Sequence, residues 1–145
     1  MKRFLLCLSL GLMLGSVTVF ALDRIEGPKN CSQCGMDRTM FAYSRTMVVY
    51  ADGGKVGTCS LHCATVELKK NAGKPVKSLQ VADYRTQALL DAKKATWVIG
   101  GKQGGVMTAV PKWAFAKKSD AEAFVKENGG KLAGFDEVMA LAKSE

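Results

Sequence analysis

The residues of this chain that could do chemistry are sulfur donors, and they are clustered. Cys31 and Cys34 stand in the run Asn30-Cys31-Ser32-Gln33-Cys34-Gly35-Met36, a C-x2-C pair. Cys59, His62 and Cys63 stand in a second run, Cys-Ser-Leu-His-Cys, and His62 is the single histidine of the chain. A tight C-x2-C turn lets two sulfurs converge on one point, the arrangement in which thiolates share a soft metal ion. The second run suits the first turn of a helix, where positions i, i+3 and i+4 share a face. A turn and a helix start that each give two sulfurs build a small treble-clef-like metal site. Cys31, Cys34, Cys59 and Cys63 are therefore expected to converge, with His62 in an auxiliary role. Met36, beside Cys34, offers a thioether. Met107, in a later loop before Pro111, offers another, although methionine more often fills core space.

Ligand softness narrows the ion. Thiolate and thioether donors select Cu(I), Zn(II) or softer ions over hard cations. Four thiolates alone suit structural zinc. A site that also draws on Met36 or Met107 favours Cu(I), whose low coordination number and easy ligand exchange suit transfer. Two other readings of the cysteines stay open. Two structural disulfides fit an exported protein, but bridges within such close pairs would close very short loops and stabilise little. A reversible Cys31–Cys34 disulfide would make the chain a thiol-disulfide redox protein, yet no thioredoxin-like strand–motif–helix context surrounds Cys31. Catalysis is not expected: there is no second histidine, and no carboxylate cluster lies near the thiols to act as a general base. Cleavage of a metal–carbon bond by a cysteine pair has only general thiol chemistry behind it.

The compartment is set by the N-terminus. Lys2 and Arg3 precede an apolar run from Phe4 to Phe20, and Val19-Phe20-Ala21 supplies cleavage-site residues. Residues 1–21 read as a secretory signal peptide cut after Ala21. The run is about the length that just spans a bilayer, so membrane contact is expected only through an uncleaved segment. Cys7 lies too early and lacks the small residues of a lipoprotein site, so lipoprotein anchoring is not expected. The chain carries 21 Lys+Arg against 13 Asp+Glu, and losing Lys2 and Arg3 takes the net charge from +8 to +6. The bases are dispersed, without an arginine-rich run or interleaved aromatics, so no nucleic-acid partner is implied.

The elements that must position the sulfurs can be read in order. Thr46-Met47-Val48-Val49-Tyr50 is β-branched and aromatic, Asp52-Gly53-Gly54 is a turn signal, and Lys55 to Thr58 returns toward Cys59: a hairpin over Met40 to Val56 and beyond. A helix follows from about Ser60, with Leu61, Ala64 and Leu68 inward, and stops at Asn71-Ala72-Gly73-Lys74-Pro75. Val76 to Tyr84 alternates as a strand. Asp83 to Lys94 suits either a short helix or a loop. The plan then repeats. Thr96 to Ile99 is a strand, glycines bound a turn, and Val106 to Phe115 returns, broken at Pro111. Ser119-Asp120-Ala121-Glu122 reads as a capping box opening a helix with Ala121, Phe124 and Val125 inward. That helix stops at Asn128-Gly129-Gly130-Lys131, and a last helix covers Asp136 to Ala142. The expected class is α+β: two small ββαβ halves from an internal duplication, residues 22–85 with the cysteine site and residues 95–145 without one.

These residues also carry a resemblance. The Asn-Cys-Ser-Gln-Cys-Gly-Met start, Met107-Thr108-Ala109-Val110-Pro111, and Asp120-Ala121-Glu122-Ala123-Phe124 followed by Asn128-Gly129-Gly130-Lys131 and Phe135-Asp136-Glu137 resemble the NosL family, accessory copper carriers for nitrous oxide reductase assembly. The resemblance runs from about Cys31 to Val138. It implies paired ββαβ halves, a periplasmic location, and a Cu(I) site matched here by Cys31, Cys34, Met36 and Met107. It also implies partners among copper-site assembly proteins or a cuproenzyme client such as nitrous oxide reductase. Cys34-Gly35-Met36 with the later Cys59-Ser60-Leu61-His62-Cys63 is similar as well to the TRASH-type heavy-metal domain, and implies a metal-handling branch whose client is a different protein.

Overall fold

The computed structural model describes residues 25–145; the signal peptide read over residues 1–21 lies outside the described residues. Its first unit starts from the β-branched run, which forms β1 (Thr46–Tyr50). The chain turns at Asp52, whose carboxylate accepts the Gly54 N–H at 2.8 Å, while Gly53 takes the positive φ of 88° that the turn requires. β2 (Lys55–Thr58) returns antiparallel with Val48 opposite Val56. Then come α1 (Leu61–Lys70) and β3 (Val76–Ala82), which lies antiparallel on the other side of β1.

The second unit runs β5 (Thr96–Ile99), β6 (Lys112–Phe115), α2 (Lys118–Asn128) and β7 (Lys131–Ala133), closed by α3 (Phe135–Ser144), with β4 (Leu89–Asp91) between the two units in sequence. The sheets are ordered β2-β1-β3-β4 and β6-β5-β7. In each, the first strand is central and is flanked by the second and third, so the expected ββαβ plan is present twice as topology.

Three details differ from the sequence reading. Asp83 to Lys94 is neither helix nor plain loop, because Leu89–Asp91 pairs with Gln80–Ala82 as an edge strand. Only Lys112–Phe115 of the segment Val106–Phe115 is strand. Pro111 has no N–H to give a ladder, and residues before it bend instead. Ser119 caps nothing: the helix begins earlier, with Lys117 at the N-cap and no side-chain cap bond. Asp120 still places a negative charge in the first turn, where the helix dipole favours it.

The two units share their interior. Leu61 and Val81 of the first pack with Trp97, Ile99, Ala114, Val138 and Ala142 of the second in one buried cluster. Asp83 ties the seam, since its buried carboxylate accepts the Thr86 N–H and hydroxyl at 2.9 and 2.6 Å and the Ala116 N–H at 2.9 Å. Burial pushes the Asp83 pKa up, but these donors outweigh it and hold the group below the usual carboxylate range. A depressed folded pKa gives stability that is present above the unfolded value, near pH 4, and is lost as pH falls through the folded one. Urea denaturation is therefore expected to show wild type losing more stability than Asp83→Asn between pH 6 and pH 3. Equal losses would contradict this account of the seam.

Candidate metal centre

The first two sulfurs are fixed by a turn that the backbone closes on itself. Gly35 N–H donates to the Cys31 carbonyl at 2.9 Å, and Cys31 N–H donates to the Met36 carbonyl at 2.8 Å. Gly35 sits at φ 76°, the left-handed region that lets so short a turn form. An isolated bridge between Asn30 and Asp37 seals its base. The turn is held to α1 by Gln33, whose amide donates to the Glu67 carboxylate at 2.6 Å. That carboxylate also accepts the Tyr50 hydroxyl at 2.8 Å and the Asn71 amide at 2.9 Å.

The second two sulfurs come from the hairpin's return. Cys59 directly follows β2, and Ser60 caps α1 by accepting the Cys63 N–H on its side chain at 3.4 Å. Cys63 is thereby the third residue of the helix, beside unpaired N–H groups and the positive end of the dipole.

All four Sγ atoms lie within 4.8 Å of one another, and none is in a disulfide. Cys34 and Cys59 are 3.5 Å apart, and Cys59 and Cys63 are 3.7 Å apart. Four sulfurs set tetrahedrally about 2.3 Å from one ion would be separated by about 3.8 Å, so this group is close to a ligand cage already. Cys31, Cys59 and Cys63 are buried; Cys34 is half-buried and gives the group its one opening. The thiols are unequal. The Cys59 thiol donates to Cys63, which brings the Cys63 pKa down to about 5 and pushes that of Cys59 up. Burial raises that of Cys34. The donated Cys59 S–H therefore favours negative charge on Cys63 within the group.

Other residues read from the sequence divide. Met36 packs against the buried cluster that holds Cys31, Cys59 and Cys63. Met107 lies on the surface, 45 % exposed and at a positive φ of 55°. His62 is not brought to the sulfurs. Its Nδ1 lies 3.9 Å from the Glu145 carboxylate, and its ring lines an open groove of about 720 Å³ between α1 and α3. The reason is helical phase: consecutive helix residues point about 100° apart, so a helix that aims Cys63 at the site turns His62 away.

Two features escaped the sequence reading. The cysteines are walled by the second unit, through Val98, Val106, Trp113, Phe115 and Phe124. Tyr84 joins that wall with its ring 5.3 Å from Trp113 and 4.9 Å from Phe124. A period-2 strand pattern in Lys112–Phe115 carries no mark of the remote sulfurs it covers. The other feature is Arg38, fully buried with its guanidinium bound to backbone carbonyls.

The NosL family profile matches residues 23–142 of the chain. None of the curated proteins matches it. Among solved structures, the copper chaperone NosL from Shewanella denitrificans is similar, at 25 % sequence identity and a TM-score of 0.62, over 80 % of this chain and 93 % of that one. The family match spans both units and the cysteine group, and the solved fold overlays most of the same residues: this chain belongs to the NosL family.

Proposed function

We propose that this protein is an exported, periplasmic Cu(I) carrier that holds the ion on Cys31, Cys34, Cys59 and Cys63 and passes it to a copper-site assembly protein or a cuproenzyme, nitrous oxide reductase among the clients. The observation that carries this reading is the asymmetry of the sulfur group. Three buried thiols give a hold that resists water, and one half-exposed thiol gives an incoming ligand a place to attack. Transfer needs both. A shell of soft sulfur favours Cu(I) over hard cations, and Met36, packed beside the thiols, is the thioether proposed to complete it. Met107 is proposed as a transit ligand, so Met107→Ala is expected to change the release rate and leave equilibrium affinity within about twofold.

Zinc is the second reading, and a set of four thiols favours it. A structural zinc site would make metal removal equivalent to unfolding. The two separate in one experiment. Reduced protein, prepared without oxygen, is loaded with Zn(II) and titrated with Cu(I) against a calibrated Cu(I) chelator, with folding followed by circular dichroism. The carrier is expected to exchange Zn(II) for Cu(I) and to stay folded when stripped. Retention of Zn(II) against excess Cu(I), with unfolding on chelation, would replace the carrier by a structural zinc module.

A further inference from the structure

We propose that Arg38 is the buried counter-charge of the sulfur centre, a fixed cation that sets how much surplus negative charge the bound site can carry and so helps determine which ion it prefers. The inference builds on the reading that the four cysteines hold one soft metal ion.

Arg38 has no exposed surface. Four of its N–H donors end on backbone carbonyls: Glu26 at 2.7 Å, Pro28 at 2.6 Å, Thr46 at 3.2 Å and Thr58 at 3.2 Å. Among the described residues, no carboxylate takes any of them. Glu26, whose carboxylate acts on Arg38 through space, is instead held by Arg45 through two nitrogens at 2.9 and 3.1 Å. The carbonyl of Thr58 that it grips belongs to the residue before Cys59, and its own backbone N–H donates to Lys29, two residues before Cys31. Room for the guanidinium is built in, because a Cβ on Gly57 would stand 2.5 Å from its Cζ.

Burying an ion costs several kcal/mol even after relaxation, and arginine cannot shed its proton to escape. Neutral carbonyls orient such a cation without cancelling its charge. A sulfur centre does cancel it. Four thiolates leave two surplus negative charges around Zn(II) and three around Cu(I), in an interior where charges are screened far less than in water. A purely architectural Arg38 would matter equally for both ions. A counter-charge matters more for the ion that leaves the site more negative.

The test is the affinity of the full mature chain for Zn(II) and for Cu(I), each by competition with a calibrated chelator without oxygen at one pH, in wild type, Arg38→Lys and Arg38→Gln. Lysine and glutamine both forfeit the clasp on the four carbonyls, but only lysine keeps the charge. Arg38→Gln is expected to weaken Zn(II) on the order of tenfold and Cu(I) on the order of a hundredfold, while Arg38→Lys keeps the wild-type ratio of the two. Should Arg38→Gln not fold, Gly57→Ala carries the comparison, because it crowds the guanidinium off its seat, and the same shift of ratio is expected. A Cu(I)-to-Zn(II) ratio unchanged in a folded Arg38→Gln or Gly57→Ala protein overturns the role of Arg38 and leaves the carrier reading standing. A wild type that binds neither ion overturns the carrier reading and this one with it.

Discussion

Cys63→Ser is expected to weaken soft-metal binding on the order of a hundredfold. A four-ligand thiolate site gives roughly 10–16 kcal/mol of apparent binding free energy, so one ligand accounts for about 3 kcal/mol. Cys63 has reason to exceed that share. It accepts the Cys59 thiol at 3.7 Å, which lowers its pKa, and it sits in the first turn of α1 where an anion is favoured. Serine preserves the shape but offers a hard, protonated oxygen that soft ions bind poorly. Since Cys63 is buried, the loss should appear in equilibrium competition and not merely in exchange rate. His62→Ala, one residue away, is expected to leave affinity unchanged within about twofold, because its ring faces Glu145. A hundredfold loss in His62→Ala with little effect in Cys63→Ser would invert the assignment of the site.

The largest effect on stability is expected at Trp97. Its side chain is almost wholly buried in the interior shared by the two units, and its indole N–H donates to the Ala92 carbonyl at 3.0 Å. Trp97→Ala removes a large ring from a place where elements of both units meet, so the cavity cannot close without moving a sheet. The cost should be about 3–5 kcal/mol, a large fraction of the roughly 5–15 kcal/mol that holds a domain folded. In a thermal scan this corresponds to a fall of about 10–20 °C. Trp113 makes the contrast. It is equally buried, yet its indole N–H has no hydrogen-bond partner among the described residues. Trp113→Phe gives up some packing but removes an unsatisfied donor, whose burial costs about 1–3 kcal/mol, so the net change is expected within about 1 kcal/mol. A Trp113→Phe protein as unstable as Trp97→Ala would show that the Trp113 ring carries more of the core than its hydrogen bonding suggests.

What could be read in advance was what is local in sequence. Cys31 and Cys34 are tied by one turn, Cys59 and Cys63 by one helix start, and β1 and β2 by Asp52-Gly53-Gly54, so spacing alone brought the four sulfurs together. The strand Thr96–Ile99 and the stop at Asn128-Gly129 were legible for the same reason. Cues of a single residue were weaker. Ser119 has the right spacing to Glu122 for a capping box, but the helix starts at Lys118 with Lys117 at the N-cap, so the serine falls inside the first turn. β4 was missed because Leu89–Asp91 has little pattern of its own and is a strand only by pairing with β3. His62 shares a motif with two of the clustered cysteines, and only the rotation of α1 separates it from them. The aromatic wall and Arg38 were illegible because each depends on contacts between remote segments. An arginine that reads as one more surface base becomes a buried cation only once the hairpin and the N-terminal segment close over it.

The proposed site holds one reversibly bound copper ion on sulfur donors alone, with no nitrogen. X-ray absorption at the copper edge, on anaerobic protein loaded with one equivalent of Cu(I), tests it most directly. The expected spectrum is that of Cu(I) with sulfur scatterers alone in the nearest shell, unchanged in His62→Ala and altered in Cys63→Ser. A nearest shell containing nitrogen or oxygen, with imidazole scattering that disappears in His62→Ala, would contradict it.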